Sequence, residues 1–372
     1  MKAIGIILAG GNNNRMKELT AKRAGPALPV AGNFRSIDFA LSSMSNSHIQ
    51  TVAVLTQYNA RSLNEHLSSS KWWNFGRKQG GLFLFTPTVT ADNSDWYRGT
   101  ADAMYQNIDF LKRRHEPYVI ISSGDCVYKL DFNRVLDFHI EKKSDITVVC
   151  KDMMYNDDVS RFGVVRMDDE SRITEFDEKP IEALSNTIST GIYVIRRRQL
   201  IELLEAAAEE NRFDFVNDIL VRYKNVKKIY GYKINSYWNN IADIDAYFKT
   251  NMDFLRPDVR SYFFREEPTI CSKVDDLPPA KFNPGSDISN SLVSSGCIIN
   301  GSVEDSVLFK QVFVGKNTTV KNCVILNDVY IGDNVHLENC IVESRGTINP
   351  NTCYCGEDGV MIVKEKNVRY VI

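Results

Sequence analysis

Short, apolar, β-branched runs alternate with stretches of helical periodicity through roughly the first 250 residues. The runs predicted to be strands are Ala3–Leu8, Thr51–Thr56, Tyr118–Ile121, Ile146–Cys150, Gly191–Ile195 and Ile229–Ile234. The stretches predicted to be helices are Ile37–Ser45, Ala101–Arg113, Val135–Lys142, Arg198–Glu209 and Asp243–Phe254. Apolar strands that alternate with helices indicate an α/β domain with a mostly parallel, Rossmann-like sheet covered on both faces. Ligands of such sheets bind at the carboxyl ends of the strands.

The helical periodicity stops near residue 255, so the first domain is predicted over residues 1–255. Five prolines interrupt the polar stretch 256–289, which is predicted to be an ordered linker. A second domain is predicted over residues 290–372, where the pattern changes again.

A repeat of seventeen residues dominates this second domain. Val314–Asn317 recurs as Ile331–Asn334 and, more weakly, as Ile348–Asn351, and an Asn-Cys pair recurs in phase with it. This pattern is typical of the coils of a left-handed parallel β-helix, which bury their core only by stacking. An antiparallel sandwich, the alternative, would show hairpin turns instead.

The composition is that of an ordinary globular protein, with 43% hydrophobic and 25% charged residues among 372. A formal net charge of −2 argues against binding to nucleic acid or to an anionic membrane. No segment approaches the roughly 20 apolar residues of a membrane span, and the amino terminus lacks a signal-peptide pattern. The eight cysteines are scattered, so a cytoplasmic location is expected. Cys353 and Cys355 form a lone C-x-C with too few histidines or cysteines nearby for a zinc site, and they are predicted to be buried small side chains.

A glycine-rich loop follows the first predicted strand. Gly10 and Gly11 begin it, three asparagines continue it and Arg15 ends it. Glycines let backbone N–H groups approach a phosphate chain, and an arginine can bind phosphate oxygens in a bidentate manner. The spacing is neither that of a P-loop nor that of a dinucleotide-binding fingerprint, and a simple tight turn is the alternative.

A second candidate is the run Ser123–Asp125, directly after the strand Tyr118–Ile121. A carboxylate at the tip of a parallel strand can hold Mg²⁺ over nucleotide phosphates. An Asx turn or a helix cap is the alternative explanation for Asp125.

Two further runs carry charged or aromatic groups. Glu178–Pro180 places a lysine where it can meet a sugar phosphate, although a solvated charge run would look the same. Asp95–Asp102 leads into a helix and brings aromatic side chains next to Gly99, which can form a base pocket; a capped helix start is the alternative.

Together these motifs occur in the order and strand context of the glucose-1-phosphate adenylyltransferase (ADP-glucose pyrophosphorylase) family, which the chain resembles over essentially its whole length. Further matching runs are Leu19–Thr20, Arg23–Ala24, Phe34–Phe39, Thr56–Tyr58, Tyr128–Lys129, Arg161–Gly163, Gly191–Tyr193 and Tyr237–Trp238. The resemblance implies a nucleotidyltransferase domain followed by a left-handed β-helix. It also implies that ATP and α-glucose 1-phosphate give ADP-glucose and pyrophosphate, with Mg²⁺ as the cofactor.

The resemblance also assigns roles to individual residues. Those implied to bind the nucleotide are Gly10, Gly11, Arg15, Gln57, Gly99 and Thr100. Those implied to bind the sugar phosphate are Glu178, Lys179, Ser189 and Tyr193. Asp125 is the implied Mg²⁺ ligand, and Arg15 and Asp125 are the catalytic groups that remain.

The chain departs from the family pattern where the chemistry lies. Asn13 stands in place of a glycine of the first loop, Gly25 in place of the lysine of R-A-K-P, and Cys126 in place of the histidine of G-D-H. Asn240 stands in place of the aspartate that is the second Mg²⁺ ligand. Asp243, three residues later, is predicted to be a helix N-cap rather than a replacement ligand.

These losses favour a regulatory subunit with weak or no catalytic activity, similar to the GlgD-type subunit of bacterial glycogen biosynthesis. Its expected partner is a catalytic GlgC-type subunit in a hetero-oligomer, expected as a tetramer, and ATP, glucose 1-phosphate, ADP-glucose or a small effector are possible ligands. An active adenylyltransferase with an altered site is the first alternative. An acyltransferase, another class built on a left-handed β-helix, is the second, but it needs a catalytic histidine, and His336 in an ordinary repeat is the only one in that region.

Overall fold

The computed structural model describes residues 2–12, 14–76, 80–89, 95–154 and 157–366. The described strands of the first region are β1 (Ala3–Ala9), β2 (Pro29–Val30), β3 (Phe34–Arg35), β4 (Thr51–Thr56), β5 (Gly81–Phe85), β6 (Tyr118–Ser123), β7 (Cys126–Tyr128), β8 (Ile146–Asp152), β9 (Gly163–Met167), β10 (Ile173–Glu178), β11 (Thr187–Arg196), β12 (Ile229–Lys233) and β13 (Trp238–Asn240). The described α-helices are α1 (Ser36–Asn46), α2 (Arg61–Leu67), α3 (Thr100–Gln106), α4 (Ile108–Lys112), α5 (Phe132–Glu141), α6 (Arg197–Glu209), α7 (Ile244–Asp253) and α8 (Pro257–Phe264). Short 3₁₀ and π segments are Asn14–Thr20, Gly25–Ala27, Ser70–Trp73 and Val216–Val221.

The main sheet is mostly parallel, as predicted. Strands β5, β4, β1 and β6 lie side by side and parallel, β11 runs antiparallel between β6 and β8, and β12 is parallel to β8. The antiparallel pair β9 and β10 extends from the start of β11.

Two hydrophobic cores cover the two faces of this sheet, and β1 shows why its sequence is continuously apolar. Ile4 and Ile6 face the core that contains α3, α4 and α6, whereas Ala3 and Ile7 face the core that contains α1, α2 and α5. A strand buried on both sides has no polar positions to alternate with.

Two elements differ from the sequence prediction. The predicted helix Ala101–Arg113 is interrupted at Asn107, whose amide Nδ2 donates to Ala103 O and to Tyr97 Oη, both at 2.9 Å, while its backbone leaves the helical region. The predicted strand Gly191–Ile195 is longer and begins at Thr187, because its polar first half pairs with β8.

Three parallel sheets of five short strands each form the second region. Their strands are β14 (Lys281–Phe282), β15 (Asp287–Ser289), β16 (Leu292–Val293), β17 (Ile298–Ile299), β18 (Ser302–Glu304), β19 (Val307–Leu308), β20 (Phe313–Val314), β21 (Thr319–Lys321), β22 (Val324–Ile325), β23 (Tyr330–Ile331), β24 (His336–Glu338), β25 (Cys340–Val342), β26 (Thr347–Ile348), β27 (Cys353–Cys355) and β28 (Met361–Val363). Each strand pairs in parallel with the strand three positions later, which belongs to the next coil. This arrangement is the left-handed β-helix predicted from the repeat.

The recurring Asn-Cys pairs explain the repeat. Asn322 and Asn339 turn corners with φ of 47° and 52°, and the amide of Asn322 donates to Asn339 Oδ1 in the next coil. Asparagine tolerates this left-handed conformation, and Cys323 and Cys340 fill the core behind it.

The two regions share a third core. Tyr247, Phe254 and Phe263 are fully buried in it, together with Phe309 and Val324 of the β-helix. Helix α8 and strands β14 and β15 all lie within the stretch 256–289 that is predicted to be a linker. The predicted domain boundaries stay predictions.

In the part of the chain that the structure describes, no helix has both the length and the apolar character needed to cross a membrane.

Candidate active site

A cavity of about 350 Å³ opens at the carboxyl ends of β1, β4 and β6, the edge at which a parallel sheet binds ligands. Its lining residues are Leu8, Ala9, Gly10, Gly11, Asn12, Pro26, Leu55, Gln57, Tyr58, Tyr97, Arg98, Gly99, Thr100, Ala103, Ser123 and Asp125. Because these three strands are parallel, segments more than a hundred residues apart in sequence meet at one place.

Gln57 holds one wall of the cavity. Its Oε1 accepts from Tyr97 N at 2.7 Å and its Nε2 donates to Tyr97 O at 3.2 Å. The side-chain amide therefore binds both backbone groups of a single residue. Gly10 lies against the same side chain, and a Cβ there would lie 3.3 Å from Gln57 Cβ. The glycine-rich loop and the Tyr97 segment are thereby held close together.

The start of α3 forms the adjoining wall. A Cβ on Gly99 would lie 2.3 Å from Phe213 O, so only glycine fits at this approach of two backbones. Thr100 does not cap α3: its Oγ1 accepts from Phe215 N at 2.8 Å, while Ala101 N donates to Phe213 O. The Thr100 hydroxyl therefore fixes the neighbouring segment.

At the opposite corner Asp125 and Pro26 line the cavity. We call Asp125 and the residues next to these two, namely Asn240, Cys126 and Gly25, the metal corner. Strand β13 pairs with β7, which places Asn240 opposite Cys126 and beside Asp125. Asp125 Oδ1 accepts from Ser123 Oγ at 2.5 Å and from Asn240 Nδ2 at 3.3 Å. Asn240 Oδ1 in turn accepts from Ala242 N at 3.0 Å, which fixes the amide with its N–H group toward the carboxylate.

This donor set fits a magnesium ion poorly. Mg²⁺ prefers charged oxygen ligands, and here a single carboxylate is paired with a neutral amide whose N–H group, not its oxygen, faces Asp125 Oδ1. Cys126 adds no oxygen; burial raises the pKa of its thiol well above the ordinary range, and its sulfur lies 3.4 Å from Asn240 Nδ2. Gly25 is buried in a 3₁₀ turn beside Pro26 and supplies no cation.

The residues predicted to bind the sugar phosphate lie at the end of β10 and within β11. Ser189 and Tyr193 are both buried, with Ser189 Oγ 3.3 Å from Tyr193 Oη, and burial raises the pKa of Tyr193. Lys179 is exposed, has a φ of 51° and lies with its Nζ 3.1 Å from Glu178 Oε1. This group lies next to the cavity, because a Cβ on Gly191 would be 3.5 Å from Cβ of Ser123, which lines it.

Arg15, at the end of the glycine-rich loop, is not among the described residues that line the cavity. Arg15 is exposed at the start of the Asn14–Thr20 turn. Burial lowers the pKa of Arg161, the charge of Asp158 opposes this shift, and the charge of Arg15 adds to the lowering. Asn13 falls outside the described residues. Arg161 forms an ion pair with Asp243, whose Oδ1 also accepts from Ala246 N at 2.8 Å, so the predicted N-cap of α7 is confirmed.

The comparisons with known proteins agree with this geometry. Residues 4–256 match the family described as nucleotidyl transferase, and residues 278–362 match the one described as GlmU-like, C-terminal hexapeptide. A glucose-1-phosphate adenylyltransferase from Geobacillus stearothermophilus is 39% identical over 365 residues, covering 97% of this chain and 94% of the relative. The chain belongs to the glucose-1-phosphate adenylyltransferase family.

Other family members are similar to comparable degrees. The glucose-1-phosphate adenylyltransferase of Clostridium novyi (strain NT) is 38% identical over 320 residues, covering 85% of this chain and 84% of the relative. That of Bacillus subtilis (strain 168) is 36% identical over 322 residues, covering 86% of this chain and 84% of the relative.

Within this adenylyltransferase fold, the cavity brings together six of the predicted site residues. They are Gly10, Gly11, Gln57, Gly99, Thr100 and Asp125. Arg15 and the predicted sugar-phosphate residues are not part of its described lining. The ligand-binding role of each of these residues stays a prediction.

Sequence reasoning predicted a base pocket from the aromatics of the run 95–102, but it missed that Tyr58 pairs with one of them and that Arg98 packs on Phe213 at the cavity mouth. Tyr58 and Trp96, 42% and 62% exposed, stack with ring centroids 6.1 Å apart. Arg98 lies with its guanidinium 3.8 Å from the centroid of the Phe213 ring and donates from its backbone to Asp102. Exposed aromatics are a signal for stacking on a base, and the run 95–102 contained that signal.

Proposed function

We propose that this chain is a regulatory subunit, with weak or no catalytic activity of its own, of an ADP-glucose-forming assembly in bacterial glycogen biosynthesis. Its partner is a catalytic GlgC-type subunit that converts ATP and glucose 1-phosphate to ADP-glucose and pyrophosphate. One observation carries the proposal: Asn240 faces Asp125 with an N–H group, at the position where the family pattern places a second carboxylate.

The expected loss of rate is large. Removing one preorganised electrostatic group typically lowers a rate by about 10²–10³. Gly25 and Asn240 both lack charges that the family pattern carries near the phosphates and the metal, so a loss of about four orders of magnitude is expected. The two effects need not multiply, because such groups act as a unit.

The retained cavity supports ligand binding without efficient turnover. The bonds of Gln57 to Tyr97, the close approach at Gly99 and the exposed Tyr58–Trp96 stack all lie on the side that the family pattern assigns to the nucleoside. A subunit that binds nucleotide can shift a partner's activity if it contacts two conformations of that partner differently.

An apolar column on the β-helix supports contact with a second subunit. Ile298, Phe313 and Tyr330 are in register on successive coils and face outward, and the rings of Phe313 and Tyr330 stack with centroids 4.8 Å apart. Ile298 is 39% exposed. Aromatic residues of this kind are enriched at protein interfaces.

The test is a rate assay with and without the partner. The purified chain is given ATP, glucose 1-phosphate and Mg²⁺, and pyrophosphate release is measured alone and with a co-purified catalytic homologue. We expect turnover by the chain alone at least about 100-fold below that of the partner, and a change in the partner's kcat or KM when the two are combined. Nucleotide binding to the lone chain serves as the control for folding.

An active adenylyltransferase with an altered site is the second candidate. Its support is the 36–39% identity to proteins named glucose-1-phosphate adenylyltransferase and the presence of the cavity. Turnover by the lone chain at a rate similar to that of the catalytic homologue would establish this candidate and overturn the regulatory one.

A further inference from the structure

Two adjacent strands of the β-helix bring four metal-ligating side chains together on one outer face. Strand β27 pairs with β24 in parallel register, which places Cys353 beside His336 and Cys355 beside Glu338. Leu337, between His336 and Glu338, is fully buried in the core, so the two residues on either side of it point outward. Cys353 is exposed and Cys355 is half-buried, so the prediction that this pair is buried in the core is wrong.

Two pairs within this cluster have separations close to the edges of a tetrahedral site. His336 Nε2 and Glu338 Oε2 are 3.5 Å apart, and the sulfurs of Cys353 and Cys355 are 3.6 Å apart. Ligand atoms of His336, Glu338 and Cys355 all lie within 4.8 Å of one another. For Zn–S and Zn–N distances of about 2.3 and 2.0 Å, the edges of a tetrahedron are about 3.8 and 3.3 Å. The sulfur of Cys353 is not part of that group, so closing a four-ligand site requires its exposed side chain to rotate toward the other three.

The types of donor atom select the class of metal. Thiolate and imidazole ligands suit Zn²⁺ and related transition metals, whereas Mg²⁺ and Ca²⁺ prefer oxygen alone. The preceding coils of the same sheet place Ser302 and Thr319 in line with His336, and Glu304 and Lys321 in line with Glu338. Glu304 and Lys321 make an ordinary ion pair at 3.4 Å, and no sulfur lies in those two coils of the column.

We propose that His336, Glu338, Cys353 and Cys355 bind one Zn²⁺-class metal ion on the surface of the β-helix. The ion links β27 to the preceding coil. In the described structure β27 is the last strand of its sheet and pairs only with β24, so its other edge lacks a further strand. A metal ion here stabilises the end of the β-helix, in the way that a structural zinc site contributes to folding stability.

The test uses Co²⁺ as the first probe and Zn²⁺ as the competitor. The full chain is stripped with a chelator in the presence of a phosphine reductant and titrated with Co²⁺. We expect one equivalent to bind with a thiolate-to-cobalt charge-transfer absorption, and Zn²⁺ to displace it. Zn²⁺ is also expected to raise Tm in a concentration-dependent manner.

Variants and matched controls locate the site. Loss of a supporting group around a metal site typically costs 10–100-fold in affinity, so Cys355→Ser, which removes a direct ligand, is expected to weaken Zn²⁺ binding by at least about 100-fold. His336→Gln is expected to weaken it by at least about 10-fold. Glu304→Gln, on the same face two coils earlier, and Cys271→Ser, at an exposed cysteine elsewhere, are expected to bind as the unmodified chain does.

Three results would overturn the proposal. The first is the absence of stoichiometric Co²⁺ or Zn²⁺ binding by the reduced chain. The second is unchanged affinity in both Cys355→Ser and His336→Gln. The third is a Co²⁺ complex without the thiolate absorption, which would place the ion elsewhere.

Discussion

The two sides of the cavity differ in the hydrogen-bond partners of their polar groups. On the nucleoside side, Gln57 and Gly99 hold backbone segments in place and leave the cavity open. At the metal corner, Asn240 donates to Asp125 Oδ1 and its own oxygen accepts from Ala242 N, so the amide supplies no oxygen toward a cation beside Asp125. The difference teaches that the two walls of one cavity depend on separate residues, so substitutions at one wall can change its chemistry and leave the other wall intact.

The strongest way to break this comparison is to restore the metal corner. We expect Asn240→Asp combined with Gly25→Lys to raise kcat for pyrophosphate release by at least about 100-fold, because a second carboxylate and a cation return. An aspartate at residue 240 can still accept from Ala242 N. Asn240→Asp with Gly25→Met is the control and should gain less, because methionine is unbranched and only one atom shorter than lysine but carries no charge. A double variant that binds nucleotide normally yet gains no activity would contradict this account of the corner.

The sealing of the metal corner can be measured through Cys126. Cys126 is fully buried, whereas Cys271 is exposed. Burial raises the pKa of both thiols, well above the ordinary range for Cys126, and we expect iodoacetamide to label Cys126 at least about 100-fold more slowly than Cys271. That ratio corresponds to a local opening that costs about 3 kcal/mol. Peptide mapping by mass spectrometry gives both rates in one sample. The buried Cys150, whose pKa burial also raises, should be comparably slow; equal rates at Cys126 and Cys271 would show that the corner is open.

The smallest expected effect is on the nucleoside side. Gln57→Leu removes two hydrogen bonds to Tyr97 and should weaken the binding of ATP or ADP-glucose by roughly 5–10-fold, about 1 kcal/mol, with the fold retained. Isothermal titration calorimetry measures the change. Gln50→Leu, at an exposed glutamine just before β4 at its opposite end, is the matched control. Unchanged affinity in Gln57→Leu would mean that this wall does not contribute to nucleotide binding.

Local patterns predicted the strands, the β-helix and the N-cap at Asp243, because each depends on the residues of one segment. The break at Asn107 was missed because its amide binds Tyr97, a partner outside the helix. The Gln57–Tyr97 bonds join residues 40 positions apart, and no periodicity in the sequence encodes such a pairing. Cys353 and Cys355 were misplaced although the repeat itself puts them in phase with His336 and Glu338, on the outer face of the coil.

The connection between β13 and α7 has a mechanical consequence. Only three residues separate Asn240 from the first residue of α7, and Ile241 N donates to Asp125 O across that step. Tyr247 of α7 is fully buried in the core shared with the β-helix. The strand that carries residue 240 is thus joined by a short connection to a helix that packs in the core shared with the β-helix. Gln57 and Gly99 belong to other elements and lie outside this connection, so the β-helix packs against the support of residue 240 and not against theirs.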